Sequence, residues 1–520
     1  MDDTKLKDLG LFIAKDLKGY AFVKEKRSII PYAFAKDKGL LPLEEKDSKI
    51  IVATYNPIAL DAIEELYLFL NKEIDIVYSS KEVLEEAIEE CYHQKSEDTD
   101  KFFTSLTHDK ENQAIEDEVY DLLEQSHQNP VVRMLNLILI DAIQQGSSDV
   151  HFEPKEKGLD VRYRIDGILI KKHSSSLEYR SQLIARIKIM AKLDIAEQRL
   201  PQDGRIKLRM GGREIDFRVS TIPIVYGERI VLRILDKANI VLGLDKIGMN
   251  EEVLNNFRKL ITIPEGIVLV TGPTGSGKTT TLYSALSEIN SVDKNIMTIE
   301  DPVEYKLSNV AQIGVNPKID LSFSKGLRHI LRQDPDSIMI GEIRDVETAQ
   351  IAIQSALTGH LVLSTLHTND APSAITRLSD MGIEPYLLAS SIIGVLAQRL
   401  VRKICPHCKR AYIPSTEELK QLGMDKKILD SSKLYKGQGC NFCFGTGYKG
   451  RIGIYELMIV NSQIRKQIIG SLDVDAIRKI ALKYKMKELF CNGRELVING
   501  VTTSSELLRV TSISEELSLE

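Results

Sequence analysis

Eight consecutive residues, Gly272 to Thr279, have the types and spacing of a phosphate-binding loop. They read Gly-Pro-Thr-Gly-Ser-Gly-Lys-Thr, after an apolar run at 267–270 and before a helix-prone stretch. The glycines let backbone N–H groups close around phosphate oxygens, and the helix N-terminus adds positive partial charge. Lys278 is placed to reach the outer phosphates, and the Thr279 hydroxyl is suited to Mg²⁺. The flanking strand and helix argue against a chance match in an ordinary glycine turn, so the loop predicts a nucleoside triphosphate site. The residues expected to contact the nucleotide are Gly272, Pro273, Thr274, Gly275, Ser276, Gly277, Lys278, Thr279 and Thr280.

Two apolar stretches further along the chain end in acidic residues. The first, at 297–299, is followed by Glu300, Asp301 and Glu304, and the second, at 337–340, is followed by Gly341 and Glu342. Parallel strands present their carboxyl ends to a ligand at one edge of a sheet, which would place these carboxylates near the phosphates. We expect Glu342 to position or activate water and the other three to hold water or metal; a helix cap or a surface acidic turn is the alternative for each of those three. Because Gly341-Glu342 replaces the aspartate found here in many phosphate-loop enzymes, we expect metal coordination to fall mainly on Thr279 and water.

A third apolar stretch, 361–365, is flanked by His360 and His367. Two histidines beside one strand could sense the terminal phosphate, although an isolated histidine is more often structural. Arg218 and Arg233 lie in an earlier part of the chain, outside the phosphate-loop core. An arginine supplied by a separate body makes hydrolysis depend on how the two bodies pack, whereas the alternative is a salt bridge within its own sheet.

Four of the six cysteines form two Cys-x-x-Cys pairs, Cys405 with Cys408 and Cys440 with Cys443. Four thiolates with paired short spacings suit tetrahedral Zn²⁺ and leave no open position for a substrate, so the pattern predicts a structural metal. A redox dithiol explains only one pair at a time. Cys91 and Cys491 are interpreted as ordinary buried residues.

Composition limits the class of protein. The chain has 520 residues, too many for one core, with 43% hydrophobic and 28% charged residues and a formal net charge of −5. That balance disfavours a protein that coats nucleic acid, and the chain has no apolar run of the ~20 residues that span a bilayer and no secretory signal. We therefore expect a cytoplasmic protein that binds no nucleic acid.

Periodicity and composition predict several domains. They are a small α/β domain at 1–95, an acidic flexible linker at 96–118, an α+β domain at 119–240, and an α/β domain at 241–520 with the four-cysteine subdomain at about 403–450.

Motif order then points to a family, since the chain resembles the secretion ATPases of the type II secretion and type IV pilus assembly superfamily. The resemblance covers nearly everything from Pro130 onward. Its motifs are Ser148-Asp149-Val150-His151-Phe152-Glu153-Pro154, Gln202-Asp203-Gly204-Arg205, the phosphate loop, Ile299-Glu300-Asp301-Pro302, Leu331-Arg332-Gln333-Asp334-Pro335-Asp336 with Gly341-Glu342-Ile343-Arg344-Asp345, and Gly359-His360 through Leu366-His367-Thr368-Asn369.

The resemblance implies a RecA-like ATPase core preceded by a PAS-like domain whose arginines, Arg218 and Arg233, reach the nucleotide, with Glu342 as the catalytic glutamate. It also implies ATP, Mg²⁺ and Zn²⁺ as cofactors and a homo-hexamer peripherally attached to the inner membrane. Residues 1–95 resemble the adaptor that binds the cytoplasmic domain of an inner-membrane secretion protein, and an inner-membrane platform protein is the second expected partner. A single adaptor copy without a cyclic-dinucleotide signature favours type II secretion over pilus assembly.

Two other classes of function remain open at this point. A nucleic-acid translocase would also use a RecA-like core, but it predicts stimulation by DNA and strong salt dependence. A nucleotide-gated scaffold would bind ATP with negligible turnover.

Overall fold

A computed structural model of the chain describes residues 130–511 apart from 211–212, 237–242 and 425–432. Before residue 130 it describes 12–14, 17, 35, 38–46, 49–56, 63, 73–84, 87–88 and 120–121. The predicted linker at 96–118, most of the predicted domain at 1–95, and Cys91 lie outside the described residues. The chain divides into two compact units, Met1–Ala238 and Asn239–Glu520.

The first unit contains a small four-stranded sheet near its start. Its strand order is β1-β4-β3-β2, in which β4 pairs parallel with β1 and β3, and β2 pairs antiparallel with β3. Aliphatic residues of β2 and β3 are buried and contribute most of its core. The strands are β1 (Phe12–Ile13), β2 (Leu40–Lys46), β3 (Lys49–Thr54) and β4 (Glu73–Tyr78).

The same unit contains a seven-stranded sheet of order β5-β9-β10-β11-β6-β7-β8, antiparallel except for the β5–β9 pair. Alternation of residue type builds it: along β10, Ile215, Phe217 and Val219 are buried beneath two helices, and the residues between them are not. The Tyr163 hydroxyl donates to the Ile138 carbonyl at 2.8 Å and ties β7 to the first helix. The elements are β5 (Tyr120–Asp121), α1 (Pro130–Gln144), β6 (Ser147–Lys155), β7 (Gly158–Ile165), β8 (Ile168–Ser175), α2 (Leu177–Met190), β9 (Gln202–Met210), β10 (Arg213–Ile224) and β11 (Gly227–Asp236).

The second unit is built on a mixed sheet of order β14-β13-β15-β16-β12-β17-β20. All neighbours are parallel except β17 and β20, and the central strands are buried along their whole length, as expected when helices cover both faces. The strands are β12 (Gly266–Thr271), β13 (Ile296–Glu300), β14 (Ala311–Gly314), β15 (Ser337–Ile340), β16 (Leu361–Leu366), β17 (Ile392–Ile404) and β20 (Tyr448–Ile459).

Helices α3 and α4 pack on one face of this sheet, and the remaining helices contribute to the core that includes the other face. The helices are α3 (Glu251–Ile261), α4 (Lys278–Ile289), α5 (Phe323–Ile330), α6 (Val346–Leu357), α7 (Pro372–Asp380), α8 (Pro385–Ser391), α9 (Thr416–Gln421), α10 (Ser462–Gly470), α11 (Val474–Lys483), α12 (Leu489–Ile498) and α13 (Ser504–Thr511).

The connection between β17 and β20 carries an insertion with its own two-stranded ribbon, β18 (Lys409–Tyr412) and β19 (Leu434–Gly437). Within the described part of the chain, no helix has the length and apolar character needed to cross a membrane.

Candidate active site

The predicted phosphate loop connects the end of β12 to the start of α4. Gly275 and Gly277 adopt positive φ angles of 79° and 91°, a region that favours glycine. A Cβ atom on Gly272 would lie 2.4 Å from the backbone oxygen of Gln398, so a side chain at this position would displace the loop. The loop therefore needs its glycines both for conformation and for close approach of the backbone.

Lys278 lies across the inside of the loop. Its Nζ donates to the Gly272 carbonyl at 2.8 Å and to the Pro273 carbonyl at 3.3 Å. Burial lowers the pKa of Lys278, and the negative charge of Glu342 opposes that shift. The ammonium and the Glu342 carboxylate are therefore electrostatically coupled. Thr279, the next residue, is exposed, so its side chain is accessible to a bound ion.

Four adjacent parallel strands, β13, β15, β16 and β12, end at the same edge of the sheet. Beyond them follow Asp301, Glu342, His367 and the phosphate loop. The chain thus brings together residues that are up to 95 positions apart, as the strand pattern predicted.

Glu342 lies in the turn between β15 and α6, whose N-terminus is capped by Asp345 through a 2.8 Å hydrogen bond from the Thr348 N–H. Arg344 donates a short hydrogen bond to Glu342, and His367 Nε2 lies 3.4 Å from its Oε2. Burial opposes ionisation of Glu342, but Arg344 and then His367 outweigh it and hold its pKa below the ordinary value. Glu342 is therefore a carboxylate at neutral pH, as a base that orients water must be.

Glu300, by contrast, is buried and surrounded by donors. Thr298 Oγ1 and Gln312 Nε2 donate to its Oε1 at 2.6 and 3.0 Å, and Tyr283 donates a short hydrogen bond to Oε2. This carboxylate joins β13, β14 and α4. Asp301 is exposed and contributes negative charge near Arg344, whereas Glu304 is partly buried.

The structure does not bring the two predicted histidines together. His367 follows β16, but His360 precedes it, and the His360 carbonyl accepts from the N–H of Gly266 at the start of β12. The six residues of β16 separate them by about 20 Å along the strand. His360 Nδ1 lies 2.8 Å from the Ser355 carbonyl at the opposite edge of the sheet. The two histidines of one chain therefore lie at opposite ends of the strand, and the role expected of the pair at a terminal phosphate stays a prediction.

Gln398 in β17 is a residue that the sequence reasoning missed. Its Nε2 donates to the Ser276 carbonyl at 2.7 Å and its Oε1 accepts from Thr281 Oγ1 at 2.8 Å. A single glutamine in an apolar strand gives no signal by itself. The one feature of the sequence that could have drawn attention to Gln398 is that a polar residue interrupts an apolar run.

The four predicted cysteines converge in the insertion. Their sulfur atoms lie within 4.8 Å of one another, and three measured pairs are 3.7–3.8 Å apart, too far for a disulfide. A tetrahedron with Zn–S bonds of about 2.3 Å has edges of about 3.8 Å, so the set fits Zn²⁺. Burial raises the pKa of Cys443, but N–H groups of Cys440 and Gly447 outweigh it and lower the value to about 6. Such donors suit a thiolate.

Arg218 and Arg233 occupy the antiparallel sheet of the first unit and are direct cross-strand neighbours. Arg205 in β9 lies opposite Arg218 on the other side. Arg233 Nε donates to Asp149 Oδ1 at 3.1 Å, and Arg164 Nε lies 3.6 Å from Asp149 Oδ2. One row across the sheet thus holds four arginines, with Asp149 between Arg233 and Arg164.

Comparison with known proteins gives consistent matches. A family profile described as "Type II/IV secretion system protein" matches residues 124–509, and one described as "MshEN domain" matches 22–98. The type II secretion system ATPase E of Vibrio cholerae is 44% identical, with 94% of this chain and 98% of the relative covered. The type IV pilus assembly ATPase PilB of Myxococcus xanthus is 41% identical, with 98% and 92% covered. Among solved structures, the Legionella pneumophila ATPase DotB matches 76% of this chain and 100% of its own with a TM-score of 0.55 and 20% identity, which concerns the fold.

Proposed function

The chain belongs to the type II/IV secretion system protein family and is an ATPase, and from this premise we propose that it hydrolyses ATP at the carboxyl edge of its parallel sheet to power filament assembly in type II secretion. The observation that carries this proposal is the electrostatic coupling of Lys278 and Glu342 at the carboxyl edge of the sheet, where only β16 separates their strands β12 and β15. A phosphate-binding ammonium beside an ionised carboxylate is what attack of water on a terminal phosphoryl requires.

Each side chain has a role in this reaction. The loop N–H groups and Lys278 hold the phosphates, and Glu342 orients water and accepts its proton. Thr279 would hold Mg²⁺, which when bound neutralises charge on the phosphates. Asp301 and Glu304 remain proposed as residues that hold water at this edge, whereas the contacts of Glu300 suit a supporting role. The four cysteines would hold a structural Zn²⁺.

The further parts of the proposal concern assembly. The arginine row containing Arg218 and Arg233 would reach the triphosphate of a neighbouring subunit in a homo-hexamer, because guanidinium groups suit bidentate recognition of phosphate. We place the hexamer in the cytoplasm at the inner membrane, bound through residues 1–95 to the cytoplasmic domain of a membrane secretion protein and in contact with a platform protein. The 41% identity to a pilus assembly ATPase makes pilus assembly the second candidate.

The test compares Lys278→Ala and Glu342→Gln in the full chain with Glu265→Gln, an exposed glutamate just before β12. We expect Glu342→Gln to reduce the turnover number by about a hundredfold or more while ATP still binds, and Lys278→Ala to abolish binding and turnover. The Glu265→Gln control should behave as the parent.

Hydrolysis by Lys278→Ala at the parental rate would overturn the assignment of the site. Stimulation by DNA, in place of stimulation by the two membrane partners, would overturn the secretion function and favour a translocase.

A further inference from the structure

Two consecutive residues of β17, Gln398 and Arg399, hold the two loops of the nucleotide site from opposite faces of the sheet. Successive strand side chains point to opposite faces. Leu396 therefore shares the face of Gln398 and packs with α3 and α4, whereas Val401 shares the face of Arg399 and packs with the C-terminal helices.

On the first face, the Gln398 amide bridges the phosphate loop and its helix. It donates to the Ser276 carbonyl at 2.7 Å and accepts from Thr281 Oγ1 at 2.8 Å, and only 2% of the residue is exposed. Both polar ends of one buried side chain are thus used at the loop. Because the Gln398 backbone oxygen also faces Gly272, β17 contacts both ends of the loop.

On the second face, Arg399 holds the segment 367–371, which begins at His367. Its Nη2 donates to Asn369 Oδ1 at 3.2 Å, and its Nη1 makes a short hydrogen bond to the Val510 carbonyl near the end of α13. The guanidinium is buried beside the negative charges of Asp370 and Glu456. Arg399 therefore joins this segment to the C-terminal helices.

The segment 367–371 is also fastened to the phosphate-loop strand. Thr271 Oγ1, at the end of β12, lies 2.7 Å from Thr368 Oγ1 and accepts from the Thr368 N–H at 2.9 Å. At its far end the Ala371 N–H donates to Glu456 Oε1 at 2.8 Å. Both ends of the segment are held by these hydrogen bonds. The hydrogen bond from Arg399 to Asn369 fixes the position of its middle, two residues from His367.

We propose that Gln398 and Arg399 are positioning residues for ATP hydrolysis with separate tasks. Gln398 shapes the phosphate loop for nucleotide binding, and Arg399 holds His367 against Glu342 for the chemical step. The inference rests on the proposed function of the site. It also makes β17 the element through which a movement of α13 reaches the catalytic carboxylate.

The experiment separates nucleotide affinity from turnover in the full chain. The variants are Gln398→Ala, Gln398→Glu, Arg399→Lys and Asn369→Ala, with Leu396→Ala and Val401→Ala as packing controls on the two faces. Affinity is measured by direct titration with a fluorescent ATP analogue, turnover by phosphate release at saturating ATP, and integrity by the thermal midpoint. Asn369→Ala removes the acceptor from the segment but leaves Arg399, Asp370 and Glu456 unchanged. This variant therefore tests the proposal even where an Arg399 variant fails to fold.

We expect the Gln398 variants to raise Kd about tenfold, as loss of one buried hydrogen bond to the loop implies, with kcat within about twofold of the parent. Asn369→Ala and Arg399→Lys should lower kcat about tenfold with Kd within about twofold. The packing controls should lower the thermal midpoint without a selective change in Kd or in kcat.

Parallel changes of Kd and kcat in both sets, or no change beyond the packing controls, would overturn the proposal. These outcomes differ from failure of the proposed function, in which Lys278→Ala would itself still hydrolyse ATP.

Discussion

Glu300 and Glu342 show how environment separates two carboxylates at one edge of a sheet. Glu300 is buried among Thr298, Gln312 and Tyr283, so each of its oxygens already accepts from the protein. Glu342 has Arg344 and His367 beside it and remains partly accessible. A carboxylate whose partners are exposed side chains is open to water, and one enclosed by neutral donors on three elements is not. Glu342 is the better base for this reason.

A third carboxylate, Glu456, gives a pH prediction. It is buried, accepts from the N–H groups of Ala371 and Leu489, and lies near the charges of Asp370, Glu488 and Arg399. Burial raises its pKa from 4.5 to about 7, and Asp370 and Glu488 add to the rise.

Because the folded state then binds the extra proton, this contribution to stability is complete below about pH 4.5 and is lost as pH rises through about 7. The loss is on the order of 3 kcal/mol. Glu456→Gln cannot titrate, so the thermal midpoint of the parent should fall by several degrees relative to this variant between pH 5 and 8. Measurement by calorimetry, with Glu265→Gln as control, checks this. A pH-independent difference would show that Glu456 is ionised throughout.

Gly272 and Gly275 form a matched pair for a test of the phosphate loop. A Cβ on Gly272 would lie 2.4 Å from a backbone oxygen, whereas one on Gly275 would meet nothing within 4 Å. Gly275→Ala should therefore carry only the strain of its positive φ, about 1 kcal/mol, and Gly272→Ala should in addition displace the loop. We expect a loss of ATP affinity at least tenfold larger for Gly272→Ala, measured by titration. Equal losses would mean that conformation alone matters.

At the scale of elements, sequence reasoning worked where a strand and a motif coincide. The strands before the phosphate loop, Glu342 and His367 were each predicted from apolar runs, and their parallel alignment followed from the alternation of strands and helices. The placement of His360 could not be predicted, because a flanking position does not say which end of the strand meets the ligand. Gln398 and Tyr283 were missed because their partners lie 117 and 17 residues away, and only the folded sheet brings them together.

The four-cysteine insertion leads us to expect that the thermal stability of the protein depends on a bound metal. The ribbon of β18 and β19 brings the two Cys-x-x-Cys pairs together, with Cys405 Sγ 3.8 Å from Cys440 Sγ and Cys408 Sγ 3.8 Å from Cys443 Sγ, spacings that fit a zinc tetrahedron. We expect one Zn²⁺ per chain by elemental analysis, lost in Cys440→Ser together with about 10 °C of thermal stability. Cys491→Ser, which changes a thiol in α12 outside the cluster, should keep the metal. A metal-free parent of full stability would contradict the assignment.

At the scale of the whole molecule, the arginine row of the first unit gives a test of action between subunits. If Arg233 serves the nucleotide of a neighbour, Arg233→Ala should lower kcat about a hundredfold or more, and Lys278→Ala should be inactive. In an equimolar random mixture, roughly a quarter of the pockets would combine an intact Lys278 with an intact Arg233 of the other variant, and activity should reappear. Mixed assemblies that remain inactive would show that the arginine acts within its own chain.

The arrangement of β17 and β20 also bears on how such a protein can change over evolutionary time. The cysteine module is inserted in the connection of this antiparallel pair, and a register shift between Arg402 and Ile404 lies between the module and Gln398. A residue gained or lost in the module can be absorbed at that irregularity, whereas the same change upstream would turn Gln398 and Arg399 to the wrong faces. The length of the module can therefore change without turning Gln398 and Arg399 to other faces, while Leu419, Leu422 and Leu434 anchor the module in the core of the second unit. This separation makes the insertion a natural place for lineages to diversify and for engineers to graft new binding segments.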